Sequence, residues 1–256
     1  SWFQSKITNA IFDKEEEIWS TTAITPGTGF MKLLNTGITK HFQNKATTKN
    51  IIISTTDEAG EGEHKIFQYI RDNNDKHTDS NTVIYGLDAD LIMLSINHLH
   101  ICNHIYLFRE TPEFIKSINT DLEPEESYVL DIPHLAKNIV IDMMGVIPTS
   151  QSLHNGRLHD YIFLCFLLGN DFLPHFPALN IRTGGIDKIL EHYRNTLGKT
   201  DKCIIRTTQN GESNKIIWKN LRTVITSITQ CEPNYIRSEL ELRNKREKRY
   251  QHQECN

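Results

Sequence analysis

The strongest constraint on this chain is a rhythm. Short β-branched runs alternate with helix-length amphipathic stretches, and the first two runs each end in an acidic turn. Ile51-Ile52-Ile53-Ser54-Thr55 reads as a strand buried on both faces. It is followed by the acidic loop 57–63 and a helix over 64–73 that turns Ile66, Phe67 and Ile70 inward. A second strand is expected over 82–87, then Asp88-Ala89-Asp90 and a helical stretch from Leu91, then a third strand over 104–108. This order with short connections predicts an α/β fold, a mostly parallel central sheet flanked by helices. Upstream, Phe3, Ile7, Ile11 and Trp19 sit at helical spacing, and Thr25-Pro26-Gly27-Thr28-Gly29 is a turn before a helix over 30–42. Downstream of a polar loop over 121–127 the chain turns helical, over 132–144, 160–168, 185–197, 218–231 and 234–249. The polar segment over 198–215 places a boundary there, giving a core over 1–198 and the start of a helical region over 199–256.

Composition narrows the function classes. Lys and Arg number 28 against 32 Asp and Glu, a formal charge of −4, so bulk basicity is not what would hold a nucleic acid. The longest apolar run, Tyr161 to Leu168, is far below a membrane span, and no membrane partner is expected. Five cysteines are scattered with no C-x-x-C pair, which points to a reducing intracellular compartment; between the two reducing compartments, the cytoplasm is expected over the nucleus. A Ser1 start with no signal-peptide pattern reads as processing or as a piece of something longer.

The acidic turns carry the chemistry. In α/β folds ligands collect beyond the carboxyl ends of the strands. Glu61 and Glu63 follow the first run, in Gly-Glu-Gly-Glu-His-Lys; Asp88 and Asp90 follow the second; Asp171 stands in Leu-Gly-Asn-Asp-Phe-Leu-Pro at the end of an apolar helix. Taken singly, each acid is as well explained as a helix cap or first-turn charge. Taken together, five converging carboxylates would repel unless cations neutralised them. Hard oxygen ligands select Mg²⁺ or Mn²⁺, and a pair of such ions is suited to in-line attack on a phosphodiester. No P-loop, G-x-S-x-G elbow or H-E-x-x-H pair competes.

Four ordered motifs then carry a family resemblance. They are Ile24-Thr25-Pro26-Gly27-Thr28 with Phe30-Met31, Gly60 to Ile66, Tyr85 to Leu94, and Leu168 to His175. Together they resemble the eukaryotic 5′→3′ exoribonucleases of the Xrn/Rat type, over about 24–193 and more weakly from Trp218 onward. The resemblance implies a nuclease core related to flap-endonuclease and PIN-like folds. It implies processive, Mg²⁺-dependent release of mononucleotides from single-stranded RNA bearing a 5′-monophosphate. Glu61, Glu63, Asp88, Asp90 and Asp171 match its metal-site carboxylates. Two further metal-site aspartates and the basic 5′-phosphate pocket of that family lie upstream of the Ile-Thr-Pro-Gly-Thr motif. The 23 residues before Ile24 hold no counterpart, so the expectation is a core lacking its N-terminal part. Two alternatives stay open: a catalytically incomplete nucleic-acid-binding scaffold of the same fold, and a flap-endonuclease-like structure-specific nuclease. Where the family has an Asp-Asp pair this chain reads His159-Asp160, and Asp160 is given no catalytic role.

Weaker candidates remain. His98, His100, Cys102 and His104 would share one face of an extended strand and could ligate zinc; the favoured reading puts the first two in a surface loop and the others at a strand start. Gly184-Gly185 could present backbone N–H groups to a phosphate or simply start a helix. The basic stretch from Arg237 to Arg249 reads first as a solvated helix face and second as an RNA-backbone contact. His64 and Lys65 flank the glutamates as secondary candidates.

Overall fold

A computed structural model describes residues 19–43, 50–86, 88–109, 117, 119–123, 125–170, 172–207 and 214–254, with the backbone alone over 246–254. The helix expected in the first twenty residues falls almost wholly outside them. The chain divides into two compact units, Ser1–Tyr69 and Ile70–Asn256.

In the first unit the turn before the first helix is built from hydroxyls. Thr28 Oγ1 donates to the Ala23 carbonyl at 2.6 Å and accepts the Met31 N–H at 3.3 Å, capping helix α1, Gly29–Gln43. Trp19 packs edge-on against Phe30 with ring centroids 4.9 Å apart. Asn35, buried on α1, donates from Nδ2 to Thr56 Oγ1 at 2.8 Å and to Asp57 Oδ2 at 3.2 Å, tying the acidic loop to the helix. The isoleucine run departs from expectation. No strand forms over 51–55, and Ile51 and Ile52 are 42% and 59% exposed. β-propensity records how a residue packs on a paired, half-buried surface; among the described residues nothing pairs with this segment. Helix α2, Gly62–Asp72, follows, starting two residues before the expected position.

The second unit opens with the short helix α3, Asn74–His77, and strand β1, Asn81–Tyr85. Helix α4, Asp90–Asn97, crosses over to β2, His104–Phe108, which lies parallel to β1 with Asn81 opposite His104 and Tyr85 opposite Phe108. Strand β3, Val129–Asp131, returns along β2 antiparallel. The sheet is therefore small and mixed, in the order β1-β2-β3, and not mostly parallel as expected. The parallel pair has its helical crossover, whereas no helix long enough for a crossover is described between β2 and β3.

Helix α5, Ile132–Met144, falls where its periodicity places it. Asp131 accepts the His134 N–H at 2.8 Å at one end, and Gly145 takes φ +73° at the other. Helix α6, Gln151–Phe166, begins nine residues before the expected start at Asp160. Its first half is polar, but Leu153, Arg157, Leu158 and Asp160 are buried, so polar residues occupy inward positions that an apolar pattern cannot reveal. Helix α7, Gly185–Tyr193, runs into a π-helical turn, Arg194–Gly198. A Cβ on Gly198 would lie 2.3 Å from the Met143 carbonyl oxygen, so a glycine is needed for that turn to abut α5. The polar segment holds a two-stranded antiparallel hairpin, β4, Ile205–Thr207, with β5, Asn214–Ile216. One long helix, α8, Trp218–Glu254, replaces the two expected and carries Pro233 within it. Its buried Val224 and Ile228 join Met143, Leu164, Leu179, Ile189, Tyr193 and Ile204 in one core.

Candidate metal centre

The two acidic turns differ in how they are built. In the first unit Gly60, at φ +101°, reverses the chain in the left-handed region, where a side chain would be strained. Glu61 thus stands just before α2, with its carbonyl accepting the Lys65 N–H at 3.1 Å, and Glu63 lies in the first turn. Lys65 Nζ donates to the Thr55 carbonyl at 2.7 Å and fixes the end of the isoleucine run beside this turn, so Lys65 serves the scaffold. Glu61, Glu63 and His64 each offer a ligand atom, and these atoms all lie within 4.8 Å of one another. His64 Nε2 is 3.8 Å from Glu61 Oε2. Glu61 and His64 are exposed and Glu63 is half-buried. Two oxygens on one Mg²⁺ sit about 2.0–2.1 Å from it, hence no more than about 4.2 Å apart. Small side-chain rotations would meet that limit. The donor set, two carboxylates with one imidazole beside them, fits a hard divalent cation that keeps several of its waters.

In the second unit Asp88 and Asp90 stand beyond the carboxyl end of β1. Gly86 donates its N–H to the Phe108 carbonyl at 3.2 Å, and a Cβ there would lie 2.3 Å from Leu91 Cδ1. The glycine lets the buried Leu91 close over the strand end, which holds the turn in place. Asp88 Oδ1 accepts the Asp90 N–H at 3.1 Å across the turn, while the N-cap position itself is Ala89, which has no side-chain cap hydrogen bond. Both carboxylates are exposed, and each keeps an oxygen for another ligand. Asp171 lies outside the described residues. Around it, Asn170 Oδ1 accepts the N–H groups of Phe172 and Leu173 at 2.9 and 2.8 Å, and Gly169 at φ +86° leaves no room for a Cβ against His175.

The weaker candidates resolve differently. His98 is buried at the end of α4 and not in a surface loop. Its Nδ1 lies 2.7 Å from the Leu94 carbonyl and its Nε2 2.7 Å from Arg71 Nη1, and burial pushes its imidazole pKa down. His98 through His104 curl from a helix end into β2, so they share no strand face. Among the described residues they form no metal-competent cluster. Gly184 at φ +74° and Gly185, whose N–H donates to the Asn180 carbonyl at 2.9 Å, make a tight helix start. The basic stretch lies on the solvent-exposed end of α8, as far as its side chains are described.

Sequence reasoning missed a buried ionic network. Arg157 and Asp160, one turn apart on α6, are both 0% exposed and 4.0 Å apart. Asp160 accepts the Ile204 and Ile205 N–H groups at 2.8 and 2.7 Å and the Tyr193 hydroxyl. Arg157 donates to that hydroxyl, to the Leu197 and Lys202 carbonyls at 3.0 and 2.7 Å, and to the Thr200 carbonyl. Burial pushes the Asp160 carboxyl up to about 6, against the pull of Tyr193, the two N–H groups and Arg157. The network pins the segment between the π turn and β4. The only signal in the sequence was an Arg and an Asp three residues apart, which exposed helices also show.

Comparison with known proteins fits the same turns. Residues 3–111 match the family model described as XRN 5′-3′ exonuclease N-terminus, and residues 154–256 match the Xrn1 helical domain. A 5′-3′ exoribonuclease 2 of Cryptococcus neoformans is 36% identical over 69% of this chain, and the 5′-3′ exoribonuclease 1 of Saccharomyces cerevisiae is 32% identical over 84%. A 5′-3′ exoribonuclease 2 of Arabidopsis thaliana is 28% identical over 92%. The chain spans 19%, 14% and 26% of the lengths of these three relatives. With both family models matched in order and the two acidic turns inside the first of them, the chain belongs to the Xrn 5′→3′ exonuclease family.

Proposed function

We propose that this chain is part of a 5′→3′ exoribonuclease that hydrolyses single-stranded RNA bearing a 5′-monophosphate, processively, to mononucleotides. In this reading Glu61, Glu63, Asp88, Asp90 and Asp171 hold two Mg²⁺ or Mn²⁺ ions in a PIN-like core. Residues 1–198 form the core, 199–256 begin a helical region, and the setting is cytoplasmic. The observation that carries the reading is the placement of Asp88 and Asp90. Both are exposed carboxylates beyond the carboxyl end of β1, on a turn that Gly86 and Leu91 hold, inside the matched exonuclease segment.

Each residue has a task that follows from its surroundings. Asp88 is oriented by accepting the Asp90 N–H, and Asp90 is the first residue of α4, its carboxylate exposed at the helix N-terminus. Glu63 lies in the first turn of α2. Glu61, exposed and unconstrained by backbone bonds to its carboxylate, can rotate to meet a ligand. The ions, when bound, would supply activation of water and neutralisation of the leaving oxygen. His64, exposed beside Glu61, is placed to donate to a phosphate oxygen.

The test is degradation of 5′-monophosphate RNA against 5′-hydroxyl and 5′-triphosphate RNA, in Mg²⁺ and in EDTA, with Mn²⁺ binding measured in parallel. Selective, metal-dependent loss of the monophosphate substrate is expected. Equal degradation of all three ends would refute the reading, as would activity that survives Asp88→Ala with Asp90→Ala.

A further inference from the structure

A polar cleft of ≈ 810 Å³ lies in the second unit, apart from the acidic turn. Asn97 and His100 at its edge leave the far end of α4 from Asp90, and eight helical residues at about 1.5 Å each put about 12 Å between the two ends. The opposite walls are Asn155 and His159 on α6, and Lys202 and Arg206 before and on β4. Its volume falls in the range of about 300–1,000 Å³ usual for small-molecule sites.

The lining is unlike a random polar surface in three respects. Among the described residues Lys202 and Arg206 have no carboxylate partner, and Asp201 is the single acid of the wall. The amides of Asn97 and Asn214 make no hydrogen bond within the described residues, and Asn155 commits only Oδ1, to Gln151 Nε2 at 2.8 Å and His154 Nδ1 at 3.5 Å, leaving its Nδ2 without a hydrogen bond there. The floor includes aliphatic surface from Ile205 and Ile217. Two cations match a phosphate, asparagine amides match the donor–acceptor edge of a nucleobase, and aliphatic surface accepts a ring face.

The wall that carries the cations is also rigid. Arg157 holds the Lys202 carbonyl, Asp160 holds the Ile204 and Ile205 N–H groups, and Asn220 Nδ2 holds the Cys203 carbonyl at 2.7 Å. A preformed wall lowers the ordering cost of binding. We propose that this cleft binds a nucleoside phosphate, free or as a unit of an RNA strand, with Lys202 and Arg206 on the phosphate and the asparagine amides on the base edge.

The experiment is calorimetric titration of the full chain, in EDTA, with adenosine 5′-monophosphate, a short 5′-hydroxyl oligoadenylate and inorganic phosphate. EDTA and the choice of residues keep the result separate from the metal reading, which could fail while this one stands. Lys202→Ala with Arg206→Ala should weaken nucleotide binding at least about tenfold with an unchanged unfolding midpoint. Asn97→Ala should weaken the mononucleotide more than inorganic phosphate. Equal affinities for mononucleotide and oligomer assign the site to free nucleotide, and a much tighter oligomer assigns it to the strand. Three results would overturn the proposal: no binding of either nucleotide probe, unaltered affinity in the double variant, or inorganic phosphate binding as tightly as the mononucleotide.

Discussion

Arg157→Met tests the buried network most directly. The substitution keeps much of the volume and removes the charge. Tyr193 still donates to Asp160, and the Leu197 carbonyl keeps the Thr200 N–H and Oγ1 at 2.9 and 2.8 Å. The Thr200 and Lys202 carbonyls lose Arg157, the donor that each has in the structure. Two weakened carbonyls cost about 1–3 kcal/mol each if fully dry, less here because that segment is partly exposed. Asp160 also loses its cation, but a carboxyl that titrates at about 6 escapes by taking up a proton, which at pH 7 costs only about 1.4 kcal/mol, one pH unit at about 1.36 kcal/mol. The expected loss at pH 7 is therefore about 2–4 kcal/mol, a large share of a total of about 5–15. Urea unfolding followed by circular dichroism should show a lower midpoint with an unchanged slope. At pH 5 the Asp160 carboxyl is largely protonated even beside Arg157, since it titrates at about 6, so the loss should shrink. A loss under about 1 kcal/mol at pH 7, or one that does not change with pH, would refute the assignment.

Further outcomes follow from the same geometry. The Asp160 carboxyl is raised from 3.8 to about 6, so its contribution to stability is fully present below pH 3.8 and lost as pH rises through 6. The stability of wild type relative to Asp160→Asn should fall by roughly 3 kcal/mol across that window, at about 1.36 kcal/mol per pH unit; parallel profiles would contradict this. Gly198→Ala must move the π turn off the Met143 carbonyl and should cost about 1–3 kcal/mol in thermal or urea unfolding. Tyr235→Phe removes the hydroxyl 2.8 Å from His192 Nε2 and should cost about 0.5–1.5 kcal/mol, with Ser227 still beside Nδ1. Under the proposed function, Asp88→Asn with Asp90→Asn should abolish metal-dependent RNA hydrolysis while leaving the unfolding free energy in urea within about 0.5 kcal/mol of the parent, because both side chains are exposed.

The sequence by itself determined the elements whose signals are local. Residue pattern alone placed β2 and α5, and Gly-Glu-Gly-Glu and Asp-Ala-Asp marked the acidic turns and the family. Tertiary structure decided what depends on distant partners. Ile51-Ile52-Ile53 has the composition of a strand but forms none, because strand identity needs a pairing edge that composition cannot supply. Two helices are expected over 218–231 and 234–249, yet one helix, α8, continues through Pro233 while Val224 and Ile228, nine and five residues earlier, are held in the core. Arg157 and Asp160 carry no local mark of burial and yet are 0% exposed. Their worth comes from carbonyl and N–H groups some forty residues away in sequence, at Leu197 through Ile205. The cleft lined by His100, His159, Lys202 and Arg206 is assembled from three separated segments, so no spacing in the chain could announce it. Short-range patterns encode hydrogen bonds and faces within a few residues; burial, charge pairing and concavity are set only when segments far apart in the chain meet.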